Sequence, residues 1–302
     1  MELNSDDPTA LARAALGPRH FDVTPFGTGH GNRTWLVTDD GGDRFVLKVG
    51  PLRAAAKWRS ANEGRELAAA IGVPSPRLRR FLELPTALVR VFDWIDGDPA
   101  ARIASDPAAA ARFGSELGHA VARLHELHPE QFSSRLDESA PAFTTWDAYV
   151  AHRLAEVRRR CEAAASPEPS VVERAAAAIT DLASAVSTAA RPTLCHRDLH
   201  PDNLLVDDRG ALVAILDWDM AEVWDQAGDS FKLRSRLFPE IPGSEDAFTS
   251  TYLAAHPELP RWEERTRLVD LLETLNSVAN AALQRSTGYG AVMSRRLHAL
   301  LD

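Results

Sequence analysis

The chain has 302 residues, is 45% hydrophobic and 25% charged, and carries a net charge of −9. That balance belongs to a globular protein and excludes a fibre, a disordered tail and a membrane bundle, since no apolar run approaches the ~18 residues that span a bilayer. The acidic surplus excludes a nucleic-acid binder, whose affinity rests on Lys and Arg meeting phosphates. Charge is uneven along the chain, +3 over residues 1–90 and −12 over residues 91–302. A basic first half suits an anionic ligand and an acidic second half a cationic one. Two cysteines, Cys161 and Cys195, make no disulfide framework, and the acidic start Met1-Glu2-Leu3-Asn4-Ser5-Asp6-Asp7 is no secretory leader, so a reduced, cytoplasmic protein is expected. Only three of the 34 basic residues are lysines: Lys48, Lys57 and Lys232.

A prior of ~150 residues per domain predicts two lobes, and the composition changes at Gly97-Asp98-Pro99. Residues 1–96 read as the first lobe. Phe21-Asp22-Val23 leads into Gly27-Thr28-Gly29-His30-Gly31, and residues 33–38 alternate polar and apolar as a half-buried strand does. Asp39-Asp40-Gly41-Gly42-Asp43 is hairpin-turn chemistry, with residues 44–49 as the partner strand. A helix over 54–71 ends at Pro74 and Pro76, and strands near 78–82 and 86–92 complete an antiparallel sheet. Residues 97–302 read as a larger helical lobe. Helices are expected over 107–128, 146–164 and 170–189, then a strand-rich insert over 193–217, then helices broken at Pro239, Pro242, Pro257 and Pro260.

The densest polar cluster runs from His196 through Arg197, Asp198 and His200 to Asn203, between two apolar stretches, so it is a loop between strands. A second carboxylate, Asp217, ends the apolar strand 211–216. Phosphoryl transfer needs these groups: one carboxylate to orient the attacking hydroxyl and accept its proton, and hard oxygens to hold Mg²⁺. Asp198 fits the base, while Asn203 and Asp217 fit the metal ligands. The His196–His200 spacing also invites zinc, but Pro201 denies the helix that such ligation uses, and neither cysteine adds a metal spacing.

Taken together, these residues resemble the aminoglycoside phosphotransferase and choline kinase group, small-molecule kinases related to protein kinases. The likeness runs from about Phe21 to at least Leu233 and is most specific at 196–203 and 215–219. Asn32 and its neighbours look like the nucleotide loop, residues 91–97 like the interlobe hinge, Leu117-Gly118 and Leu124-His125 like the helix before the catalytic region, and Gly228-Asp229 like the close of the metal loop. The resemblance implies an α+β, bilobal, protein-kinase-like fold, with a small antiparallel N-lobe sheet and a mainly helical C-lobe. It implies ATP as cofactor (GTP remaining open) with Mg²⁺. Lys48 would contact the α- and β-phosphates, its compact ammonium suiting the task. A helix carboxylate would pair with it, Glu63 ahead of Glu66. Gly29 and Gly31 would let backbone approach phosphate, with Asn32 beside them. Asp93 C=O and Ile95 N–H would meet the adenine edge, and His196 would brace the catalytic loop.

The acidic, aromatic C-terminal half supplies candidates for a cationic small-molecule acceptor: Asp219, Glu222, Trp224 and Glu273. The Arg- and Ala-rich composition suggests a GC-rich bacterial source. An antibiotic acceptor is then expected, an aminoglycoside first and a macrolide, peptide or nucleoside antibiotic next. Choline, another amino alcohol or a sugar is the metabolic alternative. The state is expected to be monomer or homodimer, with no membrane or nucleic-acid partner. A protein kinase is disfavoured by Asp217-Trp218-Asp219 in place of Asp-Phe-Gly and by the lack of Ala-Pro-Glu after it. A nucleotide-binding regulatory module without turnover is the rival from another class.

Overall fold

The structure, a computed structural model, describes residues 6–28 and 32–302. Asp7 starts α1 (Pro8–Leu16), its Oδ1 accepting the N–H groups of Thr9 and Ala10 at 3.0 Å. This helix was not legible in the sequence; it buries Leu11, Ala12 and Ala15 against a five-stranded antiparallel sheet. The strands are β1 (Phe21–Thr28), β2 (Arg33–Asp39), β3 (Arg44–Gly50), β4 (Leu78–Glu83) and β5 (Leu88–Asp93), in the order β1-β2-β3-β5-β4. The β2–β3 turn is held by Asp39, whose Oδ1 accepts from Gly41 N at 3.0 Å and Asp43 N at 2.9 Å, with Gly42 in the left-handed region at φ +85°. In register, Lys48 on β3 lies between Thr34 on β2 and Arg90 on β5, so the three side chains share one face. Between β3 and β4, α2 (Ala55–Ala70) lays Trp58, Ala61, Arg65 and Ala68 inward.

After Asp93 the chain leaves this sheet. β6 (Asp98–Pro99) pairs instead with a strand of the second half. α3 (Pro107–Leu124) is capped by Asp106 and buries Phe113, Leu117, Val121 and Leu124 along one stripe. The short strands β7 (Phe132–Ser133) and β8 (Ala142–Phe143) precede α4 (Trp146–Ala164) and α5 (Pro169–Val186). Then come β9 (Thr193–Cys195), β10 (Leu204–Val206), β11 (Leu212–Ile215) and β12 (Glu222–Trp224), in two small sheets ordered β11-β10-β6 and β8-β7-β12-β9. The strands of two or three residues are too short to carry an alternation, which is why β6, β7, β8 and β12 were not expected. A helical run follows: α6 (Ser230–Lys232), a π-helical turn (Leu233–Leu237) and α7 (Phe238–Glu240). The chain closes with α8 (Ser244–Ala255), α9 (Trp262–Leu283) and α10 (Thr287–Leu301).

The second half has two packed cores: α4, α5, α9 and α10 around Tyr149, Ile179 and Leu275, and α3 with α8 and the strand-rich insert around Phe113, Leu199 and Ile215. The described residues contain no helix long and apolar enough to cross a membrane.

The α3–α8 contact depends on Gly114. A Cβ there would stand 2.2 Å from Ser244 O, and no side-chain motion relieves a clash with backbone. Gly114→Ala is therefore expected to cost about 1–3 kcal/mol and lower Tm by several degrees, read by thermal unfolding. An unchanged Tm would mean that the two helices separate freely.

Candidate active site

The loop between β9 and β10 is fixed by one buried carboxylate. Asp229, 2% exposed, accepts the backbone N–H of His196 at 3.1 Å and of Arg197 through its two oxygens, and contacts His125 Nε2 at 3.0 Å. His125 Nδ1 in turn meets Tyr252 OH at 2.7 Å. Burial pushes the Asp229 carboxyl up, but the hydrogen bonds from His125 and from the Arg197 backbone N–H help to outweigh it and hold it below the usual carboxylate range. His125, Cys195 and Asp229 are the only cluster of three potential metal ligands among the described residues. It is a brace: burial pushes the Cys195 thiol well up, disfavouring the thiolate a metal wants, and its Sγ–H donates to Asp225 O.

His196 is fully buried against Trp218. Its Nε2 donates to Leu216 O at 2.9 Å, while Nδ1 accepts from Asp198 N at 3.3 Å. Both contacts fit the neutral tautomer. It braces the loop and cannot be the base. Arg197 sits in the left-handed region at φ +69° and turns its side chain inward, to Gly228 O and Glu273 Oε1 at 2.6 Å and over the Trp224 ring at 4.2 Å.

That turn leaves Asp198 partly exposed beside Asn203. Asn203 Nδ2 donates to Asp198 Oδ2 and to Asp198 O, both at 3.0 Å. The Asn203 Oδ1 accepts from no described residue and lines the cleft with Asp217. Asp217, at φ +53°, lies just past β11, and Leu216 N donates to Asn203 O at 2.7 Å, locking the two loops together. An amide oxygen and a carboxylate on one wall suit a hard divalent cation. Lys48 Nζ is 3.8 Å from Asp217 Oδ1 across the cleft. The cleft encloses about 360 Å³, with the hinge residues Asp93, Trp94 and Ile95 at one end and Phe26 and Gly27 above. Gly29 and Gly31 lie outside the described residues. Asn32 packs beside Gly50 and is not among the cleft-lining residues.

Several expectations need correction. Lys48 does not pair with a carboxylate of α2. The inward stripe of that helix leaves Glu63 two residues from Ala61, on the far side and exposed, and Glu66 on the flank, tied to Arg65 Nη2 at 3.0 Å. Asn62 and Arg65 line the cleft instead. Asp219 is not open to an acceptor: Arg90 Nη1 holds it at 2.7 Å, with the two side chains 4% and 12% exposed. Trp224 is fully buried against Trp146 and Tyr149. Glu222 is 3% exposed between Arg153 and Arg197, and Glu273 is committed to Arg197. These four acidic and aromatic residues are internal. Sequence reasoning overlooked Arg90, though a lone charge within Leu88-Val89-Arg90-Val91-Phe92 is a visible signal. Gly228-Asp229 reads as the close of the metal loop, without the contacts of Asp229 to residues 196 and 197.

A sheet-borne lysine, a loop carrying a carboxylate and an amide, and a second carboxylate at a strand end define a kinase-like phosphotransferase. Residues 22–285 match the phosphotransferase enzyme family APH, and the chain belongs to that family. It is a small-molecule phosphotransferase whose acceptor is an alcohol. Among solved structures, a thermostable mutant of the aminoglycoside phosphotransferase APH(4)-Ia, in complex with AMP-PNP and hygromycin B, is 19% identical, with 97% of each chain covered and a TM-score of 0.72. A proposed fructosamine-3-kinase from Thermobifida fusca YX-ER1 is 20% identical over 99% of each chain, with a TM-score of 0.73. APH(3'')-Id from Streptomyces rimosus is 18% identical over 88% of this chain and 96% of its own, with a TM-score of 0.61. At such identities the likeness is one of fold. No curated protein matches the chain.

Two measurements follow. Burial lowers the His196 pKa from 6.5. The unfolded chain therefore takes a proton near that pH that the folded one refuses, so stability is complete above it and lost below it. Tm should fall between about pH 7.5 and about pH 5.5, and His196→Asn should flatten that dependence; an equal slope in both proteins would refute the neutral brace. Removing one partner of the buried Arg90–Asp219 pair strands a charge, so Arg90→Met or Asp219→Leu should each cost about 3–5 kcal/mol. The double variant should cost much less than the sum, in denaturant unfolding. Additive costs would show the pair to be uncoupled.

Proposed function

We propose that the chain transfers the γ-phosphoryl group of ATP, with Mg²⁺, to a hydroxyl of an amino-bearing sugar or polyol. The observation that carries this reading is that Lys48, Asn203 and Asp217 line one cleft and that Asn203 is hydrogen-bonded to Asp198. The hinge backbone, Asp93 C=O and Ile95 N–H, offers one acceptor and one donor to an adenine edge. Lys48 would leave Asp217 for the α- and β-phosphates. Asn203 Oδ1 and the Asp217 carboxylate would hold the metal, which when bound neutralises charge on the phosphate oxygens.

Burial alone raises the Asp198 carboxyl, but the His200 hydrogen bond and the charge of Lys232 help to outweigh it, keeping it well below the usual carboxylate range. It is thus ionised at neutral pH and acts by aligning the hydroxyl and receiving its proton late. The acceptor oxygen bonds to the γ-phosphorus, the bond from that phosphorus to the bridging oxygen breaks, ADP leaves with the electron pair, and the hydroxyl proton passes to Asp198. Positioning and charge neutralisation supply most of the acceleration because the transition state is loose.

The acceptor class draws support from relatives of the same fold. One is bound to hygromycin B, and others bear the name fructosamine-3-kinase; both names describe amine-bearing sugars. An aminoglycoside, for resistance or self-protection, is the first candidate, and a sugar amine of metabolism the second. The C-lobe residues that would face such an amine are not the four internal ones described above.

Incubation with Mg-ATP and a panel of aminoglycosides, a fructosamine, choline and simple sugars should yield one acceptor carrying one added phosphate by mass spectrometry. Asp198→Ala should lower that rate by about 10²–10⁴-fold, and Asp217→Ala should remove its dependence on added Mg²⁺ together with the activity. Nucleotide-stabilised melting with no transfer to any acceptor would favour the non-catalytic module. Transfer only to choline would replace the sugar-amine reading with the amino-alcohol one.

A further inference from the structure

Of the chain's three lysines, Lys48 lies on β3 and Lys57 on α2 against Met220, while Lys232 pairs with Asp198. Lys232 ends α6, the short helix that begins directly after Asp229, so it lies three residues from the carboxylate that holds the loop. Its Nζ stands 3.4 Å from Asp198 Oδ1, with its side chain 27% exposed. The other oxygen of the same carboxylate, Oδ2, is taken by Asn203 Nδ2 at 3.0 Å and lies 3.4 Å from His200 Nε2. Oδ2 is therefore crowded by two nitrogen groups of its own loop. Oδ1 has one neighbour, an ammonium from a different element, and keeps a lone pair free.

We propose that Lys232 is a positioning residue for phosphoryl transfer. It holds Asp198 from the side opposite Asn203, so that Oδ1 is the oxygen that receives the acceptor proton. This role rests on the phosphotransferase reading of the site. An ammonium has three N–H donors, and this one sets a positive charge beside the carboxylate that would receive the acceptor proton. An anionic transition state gains from such a fixed charge more than the bound substrates do. Lys232 thus ties the helix after Asp229 to the reacting centre, while Lys48 serves the nucleotide from the sheet.

The test is steady-state kinetics on Lys232→Met and Lys232→Arg with Mg-ATP and the acceptor that the wild-type protein phosphorylates, alongside nucleotide binding by calorimetry and Tm. The role predicts that kcat of Lys232→Met falls about a hundredfold, with KM for ATP and nucleotide Kd within about twofold. It also predicts that Lys232→Arg recovers at least about a tenth of the wild-type kcat. Three results would overturn it: kcat of Lys232→Met within about threefold of wild type; a loss carried wholly by KM for ATP; or equal losses in both variants accompanied by a fall in Tm, which marks a merely structural residue. If the wild-type protein binds Mg-ATP but neither transfers phosphate nor hydrolyses ATP, the phosphotransferase reading fails first and this role falls with it.

Discussion

The structure depends on one buried carboxylate. Asp229 is almost wholly buried, yet it takes two backbone N–H groups of the loop between β9 and β10 and one imidazole. A carboxylate in so dry a place is stable only when its oxygens are filled, and here the loop itself fills them. The constraint propagates outward. Arg197 is forced to φ +69°, its side chain turns inward onto Trp224, and the next residue, Asp198, is left partly exposed beside Asn203. The contacts His125–Tyr252 and Arg197–Glu273 extend the same anchoring to α3, α8 and α9. The helices of the second half thus act on the chemistry by fixing one loop, and the loop needs no rigidity of its own.

Across the cleft, charge is arranged differently from the resemblance's expectation. Lys48 has no carboxylate from α2 and leans toward Asp217. The nearby interlobe tie is Arg90–Asp219, which joins β5 to the turn bearing Asp217. Burial lowers the Arg90 pKa, and Asp219, with Asp217, offsets part of that effect. The sheet therefore grips the turn that bears Asp217 directly, through a guanidinium stacked on Trp58 at 4.0 Å. The helix contributes Asn62 and Arg65 to the wall. Orientation of Asp217 becomes a property of the sheet and the turn, with α2 in a packing role.

Much of this was readable from residues because local chemistry and tertiary structure agree. The turn at residues 39–43 needed its Asp and Gly, the strands on either side alternated, and α4 fell on the span its apolar spacing predicts. Asp198, Asn203 and Asp217 were legible because their residue types and spacing are tied to a reaction. The choice of Glu63 failed because it was carried over from a family pattern, whereas the face a helix turns inward is set by its own apolar stripe. The acceptor residues failed for a different reason. An acidic residue looks the same in sequence whether it meets solvent, a ligand or a buried arginine, and Glu222, Glu273 and Asp219 all meet arginines. Pairings between distant segments, such as Asp229 with residues 196–197, leave no local periodicity to read.

Asp229 holds the loop that carries Asp198 and Asn203 in shape. Backbone hydrogen exchange at His196 and Arg197, compared between the wild-type protein and Asp229→Asn, tests it most directly. An asparagine offers one oxygen where two are used and turns an N–H toward a donor. The account predicts that both amides exchange with the slowest core amides in the wild-type protein and about a hundredfold or more faster in the variant, while amides of the N-terminal sheet keep their rates. Equal protection of the two amides in both proteins would contradict it, because the loop would then hold its shape without the carboxylate.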